Sequence, residues 1–271
     1  MQNKEVEQTK FIEYLKCKYD SIRLIVSPPR SASTALARLF WEHPDIRYYS
    51  HEPFEVTYYQ NKPIMDALHL IEDPIDLLEQ YKKGAAQSRN GLVIKEMPYQ
   101  VGKNFPILAS LTNFPVIFLL RDPRLNIYSR IQKKIEGGSS PIFPLQETGW
   151  ELMLEQIHFC EQHSIPFSLV KADDYRSDPN NFTMQLMDKM GLKFFPELLN
   201  WRSAETINLD NLAGPHSHLY LKVLASTGVL PPTEDIPCME AFPTDGGIRD
   251  HVYQALEIYQ TLLNRPEVLR I

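Results

Sequence analysis

Four short apolar runs, each followed by a loop and then by a helical pattern, constrain the fold of this chain most strongly. They lie at 22–26, 92–95, 116–120 and 167–171. Apolar runs of this length with many β-branched residues are typical of strands buried on both faces, as in a parallel sheet covered by helices. Strands that alternate with helices are joined as βαβ units. The pattern therefore predicts an α/β protein with three layers, α/β/α, around a central parallel sheet.

The rest of the chain predicts helices around this sheet and one long irregular segment. The first 20 residues read as an amphipathic helix, and further helices are predicted near 146–163, 180–190 and 248–264. The stretch 137–144 reads as a turn-rich connection. Nine glycine and proline residues interrupt 209–247, which indicates an irregular segment. We predict a single domain over 1–271, with 209–247 as a lid or a substrate-facing segment.

Composition limits the classes of function. The 271 residues are 43% hydrophobic, which is enough for one sizeable core. A net charge of −6 argues against nucleic acid as a partner. Cys17, Cys160 and Cys238 lie far apart and indicate neither a metal site nor a disulfide framework. The polar N-terminus and the absence of any run of 18 apolar residues predict a cytoplasmic protein without a membrane partner. The oligomeric state stays open.

The loop after the first run has residue types that suit phosphate. Its sequence, PPRSAST at 28–34, supplies Arg30 and the hydroxyls of Ser31, Ser33 and Thr34. A loop that leads from a strand into a helix presents free backbone N–H groups and the positive end of the helix dipole. The alternative is that Ser31 or Ser33 simply caps the helix while Arg30 faces water. The Walker pattern, G-x-x-x-x-G-K-[ST], does not fit the loop.

A second candidate anion site follows the third run. Arg121 stands at the predicted strand end, Pro123 suits the first turn of a helix, and Ser129 would lie about two turns into that helix. Arg121 and Ser129 can converge on one phosphate. The alternative is an ordinary surface ion pair between Arg121 and Asp122.

Both motifs resemble those of sulfotransferases. IVSPPRSASTALARLF is similar to the family's 5′-phosphosulfate loop, P-[RK]-S-[GA]-[ST]-T-x-L between a strand and a helix, and RDPRLNIYS is similar to its 3′-phosphate motif. KADDYRSDPNNFTMQLMDKMGL resembles the family's Y-E-D-L-x-x-D-P segment with its following helix. Together with HEPF, the pattern is closest to a poorly described sulfotransferase-like subgroup for small molecules. The resemblance runs from about residue 20 to about residue 200.

The resemblance implies a P-loop-like sulfotransferase fold and a specific co-substrate. That co-substrate is 3′-phosphoadenosine 5′-phosphosulfate (PAPS), the product is 3′-phosphoadenosine 5′-phosphate (PAP), and no metal is implied. The implied nucleotide-binding residues are Arg30, Ser31, Ala32, Ser33, Thr34, Arg121 and Ser129. The acceptor is expected to be a small soluble molecule with a hydroxyl or an amine. Its pocket would involve Tyr58, Tyr59, Tyr99 or residues of 209–247.

The candidate catalytic residues have two roles, stabilisation of charge and removal of a proton. Arg30 and Lys95 are candidates to stabilise charge on the leaving oxygen. Met97 stands where many cytosolic sulfotransferases have their catalytic histidine, so the base must come from elsewhere. Glu52 resembles the glutamate of other family members and suits the role if burial raises its pKa. His51 and Glu96 are the alternatives.

Two other functions stay open at this stage. One is a P-loop-like kinase of a small molecule, although no Walker lysine is present. The other is a module that binds nucleotide without catalysis, because the loop lacks glycine and the expected histidine is missing. The pair His216 and His218 reads as a loop feature that could line the acceptor pocket.

Overall fold

A computed structural model describes residues 2–82, 89–212 and 219–271, with side chains from residue 6 onward. Within these ranges one sheet has six strands in the order β3-β2-β4-β1-β5-β6. The strands are β1 (Ile22–Val26), β2 (Ile46–His51), β3 (Ile75–Asp76), β4 (Gly91–Glu96), β5 (Val116–Leu120) and β6 (Phe167–Lys171). All pairings are parallel except that of β2 with the edge strand β3. The predicted central sheet is thus confirmed.

The helices surround this sheet. They are α1 (Gln2–Lys18), α2 (Ser33–Trp41), α3 (Glu55–Gln60), α4 (Ile64–Glu72), α5 (Leu77–Gln80), α6 (Pro98–Val101), α7 (Phe105–Leu111), α8 (Pro123–Glu136), α9 (Trp150–Gln162), α10 (Ala172–Ser177), α11 (Pro179–Lys189), α12 (Leu221–Ala225) and α13 (Ile248–Leu263). The predicted helices therefore form, with their ends shifted by a few residues. The largest shift is at α9, because Gly149 adopts φ 81° and separates that helix from a 3-10 turn at Leu145–Thr148.

The three layers follow from alternation along the strands. In β1, Leu24 and Val26 pack into one cluster with residues of α1, α4, α7, α8, α9 and α13. Ile25 points the other way, into a second cluster with residues of α2, α10 and α11. Because both faces are covered, β1, β4 and β5 are apolar at most of their positions. The predicted α/β/α arrangement is confirmed.

Strands β2 and β3 have no counterpart among the predicted apolar runs. In β2, Arg47 and Tyr48 are only half-buried because the antiparallel partner β3 is a short edge strand. Arg47 pairs with Asp76 across that edge, with Nη2 2.8 Å from Oδ2. The resulting mixture of polar and aromatic residues hides the strand from a search for apolar runs.

The segment predicted as irregular is indeed largely without regular structure. Its described part contains α12 and two 3-10 turns, Met239–Ala241 and Asp245–Gly247, while 213–218, with His216 and His218, lies outside the described residues. Arg38 of α2 anchors this segment. Its guanidinium is fully buried and donates to the carbonyls of Val223, Leu224 and Ser226. The segment is therefore fixed to the helix that follows the loop 28–34.

Candidate active site

The phosphate loop leads into a helix that no side chain caps. Ala32 is the N-cap of α2, and no side-chain hydrogen bond caps the helix within the described residues. The Oγ of Ser31 is buried and instead accepts from Asn126 Nδ2 at 3.4 Å. The interpretation of Ser31 or Ser33 as a simple cap is therefore wrong. The first N–H groups of a helix have no intrahelical partner, so this N-terminus is suited to an anion.

The loop achieves without glycine a conformation that normally favours it. Arg30 has φ 62° and Ala32 has φ 63°, both in the left-handed region. Such residues are strained by roughly 1–3 kcal/mol each and concentrate at functional sites. Alternation of right- and left-handed residues turns successive backbone N–H groups toward one point and forms an anion-binding concavity. The left-handed conformation of Arg30 and Ala32 therefore suits this loop to an anion such as phosphate.

The two predicted phosphate motifs meet in space. Arg30 Nε donates to Ser129 Oγ at 3.2 Å, and Arg121 Nη1 donates to the carbonyl of Arg30 at 2.8 Å. Burial lowers the pKa of both arginines from the ordinary value. The alternative pairing of Arg121 with Asp122 is wrong. Asp122 instead binds Arg124, with Arg124 Nη2 2.6 Å from its Oδ2.

Glu234 contacts the second motif from the irregular segment. Its Oε1 lies 3.4 Å from Arg121 Nη2, and its Oε2 lies 3.2 Å from Arg176 Nη1. Burial alone would raise the pKa of Glu234, but Arg176 and Arg121 outweigh that effect and lower it. Two guanidinium groups therefore face one carboxylate at this end of the cleft.

Lys95 and Glu52 form a buried ion pair. Residues His51 and Lys95 are register partners on the adjacent parallel strands β2 and β4, and Glu52 follows directly. The Nζ of Lys95 binds Glu52 Oε1, while Gln100 Nε2 donates to Oε2 at 3.0 Å. Tyr220 adds a longer hydrogen bond, from its hydroxyl to Oε1 at 3.4 Å. Every one of these partners fixes the carboxylate of Glu52.

The electrostatics of Glu52 differ from the expectation. Burial raises its pKa, as predicted, but the positive charge of Lys95 and the neighbouring His51 outweigh burial, so the pKa lies below its ordinary value. The backbone of Glu52 is also strained, with φ 47°. Asn211 Nδ2 supports this conformation by donating to the carbonyls of His51 at 2.6 Å and of Glu52 at 3.3 Å.

The two alternative bases, His51 and Glu96, are buried near Glu52. His51 is buried, its Nδ1 is 2.6 Å from the Tyr49 hydroxyl, and its Nε2 is 3.3 Å from Glu52 Oε1. Burial lowers the pKa of His51, although the charge of Glu52 opposes that shift. Glu96 accepts from the backbone N–H of Phe54 at 2.9 Å and of Met97 at 2.7 Å. Burial and the charge of Glu52 raise the pKa of Glu96. Both groups are packed among protein atoms.

A cleft of about 730 Å³ brings most of the predicted residues together. Its lining includes Arg30, Ala32, Ser33, Thr34, Glu52, Lys95, Arg121 and Ser129. Within the described chain, Ser31, His51 and Glu96 are absent from the lining. Of the tyrosines predicted for an acceptor, Tyr59 and Tyr99 line the cleft and share a 3.0 Å hydrogen bond between their hydroxyls. The hydroxyl of Tyr58 donates instead to Glu147 at 3.1 Å.

Known structures resemble this architecture. The sulfotransferase domain from the Synechococcus PCC 7002 olefin synthase superposes with a TM-score of 0.50 and 17% sequence identity, over 90% of this chain and 94% of that one. The chain has the sulfotransferase fold. The sulfotransferase domain from the curacin biosynthetic pathway gives a TM-score of 0.46 and 16% identity, over 90% and 98% of the two chains. No protein-family model and no curated protein matches the sequence.

Within this sulfotransferase fold, sequence reasoning did not single out several polar residues of the cleft, among them Gln100, Arg176, Tyr220 and Glu234. Gln100 and Arg176 follow strands β4 and β6, so their position at the carboxyl edge of the sheet was the one available signal. Tyr220 and Glu234 belong to the irregular segment, whose sequence has no periodicity to place them. In the described ranges, no cluster of His, Cys, Asp or Glu could hold a metal, and no helix is long and apolar enough to span a bilayer.

Proposed function

We propose that this chain is an enzyme that transfers a sulfuryl group from PAPS to a hydroxyl or amine of a small acceptor. The observation that carries the proposal is one cleft lined by both phosphate motifs and by the Lys95–Glu52 ion pair. An uncapped helix N-terminus beside two arginines suits a nucleotide with two separate anionic groups. The fold agrees with this function without specifying the donor.

The residues present fit the donor at both ends. The N-terminus of α2 and Arg30 would hold the 5′-phosphosulfate, with Ser33 and Thr34 as hydroxyl donors. Arg121 and Ser129 would hold the 3′-phosphate. Arg121 Nε is buried and has no hydrogen-bond partner within the described chain, so a donor remains for a ligand oxygen. Ser31 would contribute through its backbone, since its hydroxyl is buried and does not line the cleft.

The transfer breaks the bond between sulfur and the oxygen that bridges it to the 5′-phosphate. A new bond forms between sulfur and the acceptor atom, the electron pair of the broken bond stays on the phosphate, and the acceptor loses a proton. Negative charge grows on the leaving oxygen. Lys95 and Arg30 lie in the same cleft and would stabilise that charge. Such stabilisation accelerates the reaction because it is stronger in the transition state than before it.

Glu52 is the base that this geometry favours. Of the three candidate bases Glu52, His51 and Glu96, Glu52 alone lines the cleft, and its carboxylate contacts Lys95. With its pKa held low it is ionised but weakly basic. When Lys95 turns toward the leaving oxygen, the charge that lowers the pKa of Glu52 moves away and Glu52 becomes more basic. One lysine thereby couples donor activation to proton removal.

The acceptor would bind beyond Glu52, between aromatic side chains. Tyr59, Tyr99 and Phe143 line that end of the cleft, and the guanidinium of Arg130 lies 4.6 Å from the Phe143 ring centre. Aromatic walls with a few polar groups are typical of small-molecule sites. This is the basis for placing a small acceptor there.

Nucleotide selectivity tests the proposal. At about 100 times its dissociation constant, PAP should raise the melting temperature by roughly 5 °C or more, whereas ADP should have a much smaller effect. Tight binding of ATP that requires magnesium would contradict the proposal and favour a kinase.

Catalysis requires a second experiment. Labelled sulfate from PAPS should appear in a member of a panel of hydroxyl and amine metabolites. PAP binding without transfer to any acceptor, and without slow hydrolysis of PAPS, would instead favour a nucleotide-binding module.

A further inference from the structure

Arg121 and Arg176 share one carboxylate at the end of the cleft where the 3′-phosphate would bind. Each oxygen of Glu234 faces one guanidinium, at 3.4 Å from Arg121 Nη2 and at 3.2 Å from Arg176 Nη1. The third contact of the carboxylate is local, from the backbone N–H of Thr233 to Oε2 at 3.3 Å. A phosphate presents a similar pair of oxygens with more negative charge, and like a carboxylate it forms bidentate bonds with arginine.

The segment that carries Glu234 is attached to the cleft mainly by Arg176. Arg176 Nε donates to the carbonyl of Leu230 at 3.1 Å, and its Nη2 donates to the carbonyl of Pro231 at 2.8 Å. We name residues 230–234 the strap. The strap is exposed throughout, and the side chain of Glu234 keeps 47% of its surface accessible. The carboxylate can therefore leave the arginines without exposing any part of the core.

Arg121 is preorganised independently of Glu234. Its Nη1 is held by the carbonyl of Arg30 at 2.8 Å, and its side chain is 7% exposed. Loss of the carboxylate would thus leave a guanidinium that is still aimed into the cleft. Arg176 would stay nearby through the strap carbonyls. Arg121 and Arg176 are thus fixed, while the carboxylate of Glu234 is free to exchange. We expect this arrangement at a site where a protein carboxylate competes with an anionic ligand.

We propose that Glu234 is a built-in competitor for the 3′-phosphate of the nucleotide. The proposal rests on the proposed function, because it assumes that PAP or PAPS binds at Arg121. Binding of the nucleotide displaces Glu234 and recruits Arg176 as a second guanidinium ligand. Return of Glu234 to the arginines favours release of PAP after transfer. The strap thus weakens nucleotide binding and shortens the lifetime of the product complex.

The test compares two nucleotides that differ only in the 3′-phosphate. PAP and adenosine 5′-monophosphate are titrated calorimetrically into the native chain, Glu234→Gln and Asp235→Asn. Asp235 is the exposed neighbour of Glu234, and its substitution removes the same charge from the residue that directly follows the strap. An exposed ion pair is weak, so Glu234→Gln should bind PAP roughly threefold to tenfold more tightly, with the monophosphate changed by less than about twofold. Asp235→Asn should bind both nucleotides as the native chain does.

Dissociation kinetics provide a second measurement on the same proteins. PAP should leave Glu234→Gln more slowly by about the same factor, because affinity differences between related complexes reside mostly in the dissociation rate. Glu234→Ala should behave like Glu234→Gln. Native binding of PAP with no gain in either Glu234 variant overturns the competitor and leaves the proposed function intact. Failure of the native chain to bind PAP overturns both.

Discussion

The two ends of the cleft are built in different ways. At the end where we propose that the sulfuryl donor binds, here called the donor end, an uncapped helix N-terminus, Arg30 and Arg121 present hydrogen-bond donors toward an anion. At the base end, Glu52 and Lys95 satisfy each other, and Gln100 bonds the remaining carboxylate oxygen. The donor end can bind an anion while its arginines and N–H groups keep their present protein contacts. The one exception is Glu234, which the anion would displace. At the base end, Glu52 has to lose its contact with Lys95 before it can accept a proton. Binding and chemistry therefore make separate demands on this site.

The largest expected effect separates the two ends at Glu52. In Glu52→Gln, transfer should fall roughly 10²- to 10⁴-fold because the base is gone, while PAP affinity changes by less than about twofold. The buried Lys95 also loses its partner, so the variant should be less stable by about 3 kcal/mol. Labelled transfer, calorimetry and urea denaturation give the three values.

A matched control for Glu52→Gln is Glu42→Gln. Glu42 is a half-buried carboxylate that binds the Tyr81 hydroxyl outside the cleft. This variant should lose stability without losing transfer activity. Equal loss of transfer in both variants would mean that the effect of Glu52→Gln is structural.

A smaller effect is expected at Lys95, and it should carry a pH signature. Lys95→Met should slow transfer by about 10²-fold through loss of charge stabilisation. In the native chain, Lys95 helps to hold the pKa of Glu52 below its ordinary value, so ionised Glu52 stabilises the fold near neutrality and loses that contribution as the pH falls. Without Lys95, less positive charge opposes the effect of burial, so the pKa of Glu52 rises. The acidic limb of the kcat/KM profile should therefore move to higher pH.

The comparison for that profile is Lys133→Met, which removes an exposed cation from the rim of the same cleft. Its acidic limb should coincide with that of the native chain. An unshifted limb in Lys95→Met would show that Glu52 is not the group whose protonation limits transfer.

The donor end could be predicted from the sequence because each part is local. The loop 28–34 lies between a strand and its own helix, and Arg121 and Ser129 are separated by a strand end and two helical turns. Parallel strands bring such loops to one edge of the sheet, so the apolar runs alone place both motifs together. Their contact, from Arg30 to Ser129, follows from that topology.

The base end could not be derived in this way. The Glu52–Lys95 pair depends on the register of β2 with β4, and β2 has too many polar residues to be recognised as a strand. The pKa of Glu52 depends on that contact and therefore had the opposite shift from the one expected for a buried carboxylate alone. Tyr220 and Glu234 come from an irregular segment whose position is set by contacts such as those of Arg38.

The most direct test of the account is whether the 3′-phosphate and Arg121 act on each other. PAP and adenosine 5′-monophosphate are titrated into the native chain, Arg121→Gln and Arg124→Gln, the last being a nearby arginine that binds Asp122 instead. Charge-assisted hydrogen bonds contribute about 1.5–3 kcal/mol, so the native chain should prefer PAP by roughly tenfold to a hundredfold. That preference should disappear in Arg121→Gln and persist in Arg124→Gln. An equal preference for PAP in all three proteins, or none in the native chain, would contradict the assignment of this cleft to the donor.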